Sequence, residues 1–249
     1  MKKIREISAA LAIGAAGCGG MVDGPLNIDM TMNGYQIPCA DVTGSVDMTP
    51  LNKDHYCGKG EATAEVVPSI YINFAADIRD ALNCALEGFI NVNVNNDLHS
   101  APRPETLFIG GIAQDVGPYS EYAGKTVSTS DGHFFSMAID RKPDGNPEPA
   151  CDVLITSLHE LGHGLENGAV LRGANFESHG LDGHGHDPEG TDAVMNPGAK
   201  CGTSFNFSDS TARLIAENLD SRNAHPEKLT NITARCAEQL DRVNKIPTP

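Results

Sequence analysis

The residues best suited to chemistry lie in one short stretch, His159-Glu160-Leu161-Gly162-His163. On a helix, a separation of four residues puts both imidazoles on one face about one turn apart, as two neighbouring zinc ligands require. Glu160 points to a different side of that helix, where its carboxylate can take a proton from a metal-bound water. Zinc lowers the pKa of such a water toward neutrality. The motif therefore predicts a zinc-activated water with Glu160 as the general base.

A hydrolytic zinc site needs a third protein ligand and leaves its fourth position to water. His184 and His186, in Gly183-His-Gly-His-Asp-Pro188, are nearly equal candidates for this ligand. Weaker candidates in the same loop carry nitrogen or oxygen donors: Glu177, His179, Asp182, Asp187 and Asp192. The three aspartates could instead bind Ca²⁺, which prefers oxygen ligands. Spacing alone leaves the choice between His184 and His186 open.

The sequence Val194-Met195-Asn196-Pro197 follows the histidine cluster. With HELGH, it resembles the metzincin clan of zinc peptidases, whose pattern is H-E-x-x-H, a Gly-bearing turn, a third His, and a tight turn with Met beneath the metal. In the short form of that pattern the third His follows the second by six residues, but position 169 is Ala. The chain therefore departs from the short form by an insertion. The resemblance covers about residues 150 to 220, and more loosely 66 to 140.

This resemblance implies a zinc endopeptidase that acts on proteins or peptides without a covalent enzyme intermediate. In that clan an edge strand holds the extended substrate by backbone hydrogen bonds, and residues 132 to 140 (GHFFSMAID) are our candidate strand. One alternative is a non-catalytic envelope lipoprotein that binds peptides or a metal on the same fold, and a second is a zinc hydrolase with a non-peptide substrate. Intact Glu160 favours an enzyme.

The elements that must position the motif are predicted from apolar periodicity. Apolar residues have helical spacing over residues 72 to 89 and over 231 to 243. Two further helices are predicted from their caps: the metal helix after Asp152, which Gly164 and Gly168 would weaken and end, and a helix after Ser208. Strand patterns cover 90 to 95, 106 to 112 and 132 to 140. We expect an α+β fold with a small mixed sheet, a backing helix, the active-site helix and C-terminal helices.

The first 18 residues are typical of an export signal, with a basic start, an apolar run and the ending Ala15-Ala-Gly-Cys18. Small residues before a Cys resemble a bacterial lipoprotein processing site, which makes Cys18 a candidate lipid anchor. We expect an irregular N-terminal segment over 19 to 65 and a metallopeptidase catalytic domain over 66 to 249. The product would be exported, either secreted or held in the cell envelope as a lipoprotein.

Six cysteines remain after Cys18, and an even number in an exported chain predicts up to three disulfides. They are Cys39, Cys57, Cys84, Cys151, Cys201 and Cys236. The net charge of -15 repels phosphates and anionic membrane surfaces, so we expect no nucleic acid partner. A length of 249 residues fits one catalytic domain, which we expect to be a monomer.

Overall fold

The computed structural model describes residues 25–38, 63–95, 105–112, 124–128, 133–141, 145–171, 173–219 and 225–249. These residues form one seven-stranded mixed sheet with several helices packed against it. The predicted α+β class is therefore confirmed at this coarse level. None of the helices in the described ranges is long and apolar enough to cross a membrane. The signal segment, Cys18, Cys39 and Cys57 lie outside the described residues.

The sheet has a parallel centre and antiparallel flanks. Its strands are β1 (Leu26–Thr31), β2 (Tyr35–Pro38), β3 (Thr63–Pro68), β4 (Ile90–Val94), β5 (Thr106–Ile112), β6 (Gly124–Ser128) and β7 (Phe134–Ile139). Strands β4, β1, β5 and β7 are parallel neighbours in that order. Strand β6 runs antiparallel to β7, whereas β3 pairs antiparallel with the second half of β5 and with β2.

The helices are α1 (Ala75–Ala85), α2 (Ala150–Leu171), α3 (Asp209–Leu219), α4 (Pro226–Leu229), α5 (Ile232–Arg235) and α6 (Ala237–Asn244). Short 3-10 turns cover Ile72–Phe74 and Glu177–His179. Helix α2 packs against β6, β7 and α3, and α1 packs against β4 and α6. The long helix α2 thus lies between the sheet and the C-terminal helices, where it carries the HELGH motif.

Helix α2 continues past the two glycines that were expected to end it. A Cβ atom on Gly164 would lie 2.5 Å from the Phe134 ring, so this glycine allows the helix to approach β7 closely. Tertiary packing of this kind outweighs the roughly 1 kcal/mol helix penalty of glycine. Asp152 does not cap the helix, which begins at Ala150; its carboxylate accepts the backbone N–H of Cys201. The helix expected over 231 to 243 is two short helices, α5 and α6, and α4 precedes it.

The expectation of an irregular segment over 19 to 65 is wrong for the part that the structure describes. Strand β1 is central in the sheet, paired with β4 on one side and β5 on the other. Its buried residues Ile28 and Met30 alternate with Asn27 and Asp29, which are less buried. Three apolar residues alternate with three polar ones in this strand, a pattern typical of a half-buried strand that the sequence analysis missed. The sheet therefore extends across the boundary that we placed at residue 66.

Two disulfides lie within the described residues. Cys84 in α1 bonds to Cys236 beside α6, and Cys151 in the first turn of α2 bonds to Cys201 after Met195. The prediction of disulfide bonding is confirmed for these four cysteines. The second bond connects the start of the metal-motif helix to the loop that follows Met195.

Candidate metal centre

Three imidazoles converge beside α2. Helix α2 presents His159 and His163 on one face, and the loop after Gly185 brings His186 to them. Nε2 of His163 lies 3.1 Å from Nε2 of His159 and 3.2 Å from Nε2 of His186. Tetrahedral zinc with N–Zn bonds of about 2.0–2.1 Å separates its nitrogen ligands by roughly 3.3–3.4 Å. The observed spacing is close to that value, so this donor set fits such an ion.

The outer nitrogen of each ring faces an acceptor. Nδ1 of His159 donates to the Val194 carbonyl at 2.8 Å, because a carbonyl oxygen can only accept. Nδ1 of His186 lies 3.2 Å from an Asp182 carboxylate oxygen, and Nδ1 of His163 lies 3.5 Å from Glu166 Oε2. A proton held at Nδ1 leaves a lone pair at Nε2. Lone pairs that point at one another repel unless a cation lies between them.

The ring nitrogens of the helix are held neutral. Burial, with a smaller contribution from the nearby His186, lowers the pKa of His159 to about 4, although the hydrogen bond to Val194 opposes it. Burial also lowers the pKa of His163 to about 2, with help from His159 and His186. For Asp182, burial alone would raise the carboxyl pKa, but the backbone N–H groups of His186 and His184 outweigh it and the pKa falls. Neutral imidazoles next to an ionised carboxylate are the protonation states that metal binding requires.

Met195 packs directly beneath the motif. It is fully buried, and a Cβ atom on Gly162 would lie 2.5 Å from its sulfur. Residue 162 lies between the two helix histidines, so only glycine there leaves room for this methionine. The Met195 carbonyl accepts the N–H of Asp187, next to His186. The turn at Met195 is therefore connected to the helix and to the loop that carries His186.

The other predicted ligands lie elsewhere. The His184 ring is exposed, with its centroid 6.3 Å from that of His186, and it is outside the group of three. His179 Nε2 lies 3.5 Å from Glu217, and Glu177 is exposed. Asp187 accepts the Ser208 hydroxyl and Asp192 accepts the Ser204 N–H. The other potential metal group among the described residues, Cys151, Asp152 and Cys201, contains a disulfide. Asp182, Asp187 and Asp192 do not come together as a group of three carboxylates among the described residues.

Glu160 is buried against the sheet by β6. The Thr126 hydroxyl lies 2.8 Å from Glu160 Oε2 and 2.6 Å from the Glu160 carbonyl, to which Ser136 also donates. A Cβ atom on Gly124 would lie 2.7 Å from Glu160 Cγ, so β6 passes close to this side chain. Sequence reasoning missed Thr126 because it missed β6, a short strand with few apolar residues. Its sequence, Gly-Lys-Thr-Val-Ser, does not alternate apolar and polar residues.

A second acidic residue that the sequence analysis overlooked lies behind His163. Glu166 is fully buried, and neither of its side-chain oxygens has a hydrogen-bond partner among the described residues. Burial raises the pKa of Glu166 well above its usual value, and the nearby Asp187 raises it further. A buried acid without hydrogen bonds, beside three imidazoles, would be stabilised by a cation. The spacing of three residues from His163 allows this contact on a helix, but it does not show that the side chain is buried.

Comparison with known proteins gives no relative: no family model, no curated protein and no solved structure matches this chain.

Proposed function

We propose that this chain is an exported, zinc-dependent endopeptidase of the metzincin type. His159, His163 and His186 would hold the ion, and Glu160 would act as general base. The observation that carries this proposal is the convergence of three Nε2 atoms, with the His159 and His186 rings oriented by acceptors at Nδ1. A site of three imidazoles favours zinc over calcium or magnesium, which take oxygen ligands. Bound zinc would polarise a substrate carbonyl and acidify a water.

The residues around the ion have distinct roles in this proposal. Glu160 would accept a proton from the attacking water and later deliver it to the leaving amine. Thr126 would hold one oxygen of that carboxylate, since its hydroxyl lies 2.8 Å from Oε2. Val194 and Asp182 would keep two of the imidazoles oriented through Nδ1. Met195 and the loop from Asp182 to Asp187 would fix the position of His186.

The peptide-binding strand is β6 in this proposal, not the strand over 132 to 140. Strand β7 pairs with β5 on one edge and with β6 on the other, so both of its edges are used. Among the described strands β6 pairs only with β7, which leaves its second edge for an extended peptide. Because Thr126 of β6 reaches Glu160, a peptide along that edge would run beside the general base.

Replacement of Glu160 by Gln tests the reaction. We expect the variant to bind the same amount of zinc as the parent and to cleave casein about 10²–10⁴-fold more slowly. Glu177→Gln, at an exposed position, is the matched control and should leave both properties unchanged. Cleavage by Glu160→Gln at the parent rate would refute the role of Glu160. Zinc binding by a parent that cleaves neither casein nor unstructured peptides would favour a non-catalytic binding protein.

A further inference from the structure

Glu166 has no part in the reaction proposed above, yet it lies next to the metal centre. It is one turn beyond His163 on α2, its side chain is fully buried, and its Oε2 lies 3.5 Å from His163 Nδ1. Neither carboxyl oxygen has a partner within hydrogen-bond distance and angle in the described part of the chain, although the nearby Thr211 hydroxyl opposes the rise in the Glu166 pKa. A buried acid without hydrogen bonds costs stability, so its presence needs an explanation such as a functional role.

The loop that carries His186 is pressed against the same carboxyl group. Gly185 has a φ of +87°, and a Cβ atom there would lie 2.4 Å from Glu166 Oε2. Any other residue at 185 would therefore displace the carboxyl group or the loop. Glu166 thus lies between His163 on the helix and the backbone of the residue that precedes His186. It touches both segments that supply imidazoles.

We propose that Glu166 is a positioning residue of the metal centre: its carboxylate accepts the Nδ1 proton of His163 and offsets the charge of the bound ion. This inference rests on the metal centre proposed above and assigns that centre a buried acid. His159 and His186 have their Nδ1 acceptors at 2.8 and 3.2 Å. For His163 the acceptor is Glu166, and a shift of about 0.5 Å turns the contact into a hydrogen bond.

The charge of the bound ion is the second reason to assign Glu166 to the metal centre. Three neutral imidazoles around a dication leave two positive charges in a largely buried site, and such charge is costly without a nearby anion. Asp182 lies at the more exposed side of the centre, whereas Glu166 is on its buried side. Carboxylate–histidine–metal arrangements of this kind orient the ring and raise the basicity of the ligand.

The test compares Glu166→Met and Glu166→Gln with the parent and with Glu177→Gln, an exposed control. Met keeps the length of the side chain but removes both oxygens, whereas Gln keeps one acceptor. Two quantities are measured on each full chain: zinc affinity by competition with a chromogenic chelator, and the urea midpoint of the chelator-treated protein. We expect Glu166→Met to bind zinc about 10–100-fold more weakly. Its zinc-free form should unfold at a higher urea concentration, and Glu166→Gln should retain an intermediate zinc affinity.

A purely structural role for Glu166 predicts the opposite pattern, with zinc affinity and urea midpoint falling together in Glu166→Met. That result, or a zinc affinity equal to that of the parent, would overturn the inference. Its failure is distinct from failure of the metal centre itself, which would appear as a parent chain that binds no zinc. Casein cleavage is not needed for either reading.

Discussion

Replacement of Gly162 by Ala tests how closely Met195 packs against the metal-motif helix. The added Cβ would lie 2.5 Å from the Met195 sulfur and 3.0 Å from a ring carbon of Phe207, against ordinary contact distances of about 3.5–4.0 Å. Both neighbours are buried, so neither can swing into solvent. Overpacking of this kind costs about 1–3 kcal/mol. The better helix propensity of Ala offsets about 1 kcal/mol. We therefore expect a net loss of up to about 2 kcal/mol.

Urea unfolding of the chelator-treated protein measures this loss, and a double-mutant cycle identifies its cause. Met195→Ala alone should cost about 2–5 kcal/mol because it leaves a cavity. In the double variant the cavity accepts the new methyl group, so the combined cost should fall short of the sum by about 1–2 kcal/mol. Gly183→Ala is the control, since nothing lies within 4 Å of its added Cβ. Additivity of Gly162→Ala and Met195→Ala within about 0.5 kcal/mol would refute the packing of Met195 under the helix.

Two further predictions concern stability. Replacing both Cys84 and Cys236 by Ser opens a loop of 152 residues. Chain entropy predicts that the free energy of unfolding, measured with urea, falls by about 5 kcal/mol. An unchanged urea midpoint would contradict the disulfide. Acid should destabilise the zinc-free protein. In the unfolded chain His159 and His163 have a pKa of about 6.5, whereas in the folded chain their pKa values are about 4 and about 2, so the unfolded state binds more protons as the pH falls. Stability is then lost as pH falls below about 6.5, by about 2 kcal/mol per histidine between pH 7 and 5. The raised pKa of Glu166 has the opposite effect on stability, so urea unfolding at pH 7 and pH 5 should be compared in the Glu166→Gln variant. Equal stability of this variant at the two pH values would contradict the lowered pKa values of the two histidines.

Local patterns in the sequence were sufficient for part of the fold. Strand β5 has the predicted bounds, and β4 and β7 lie within one or two residues of theirs, because each is a short apolar run between breaks. Ser208 caps α3 as predicted, with its hydroxyl accepting the N–H of Thr211. Strand β1 was missed although its apolar and polar residues alternate, because the Gly, Pro, Asn and Asp around it favoured an irregular segment. Strand β6 was missed because it has one apolar side chain, Val127, and no alternation of apolar and polar residues.

The candidate site was likewise predicted only in part. The H-E-x-x-H spacing places His159 and His163 on one helix face, and the structure brings them together. The choice between His184 and His186 depends on the loop path: Asp182 accepts the backbone N–H groups of both residues, but only the His186 ring turns toward the helix. Glu166 became recognisable only when burial was known, since an i,i+3 acid near a histidine is usually a solvated side chain.

The identity of the third ligand is the most direct test of the proposed centre. Zinc content by elemental analysis should be about one per chain in the parent, about one in His184→Ala, and near zero in His186→Ala and His163→Ala. Circular dichroism of the same samples should show that all four chains remain folded. Loss of zinc in His184→Ala with retention in His186→Ala would contradict the proposed ligand set. A parent that binds no zinc would contradict the metal centre altogether.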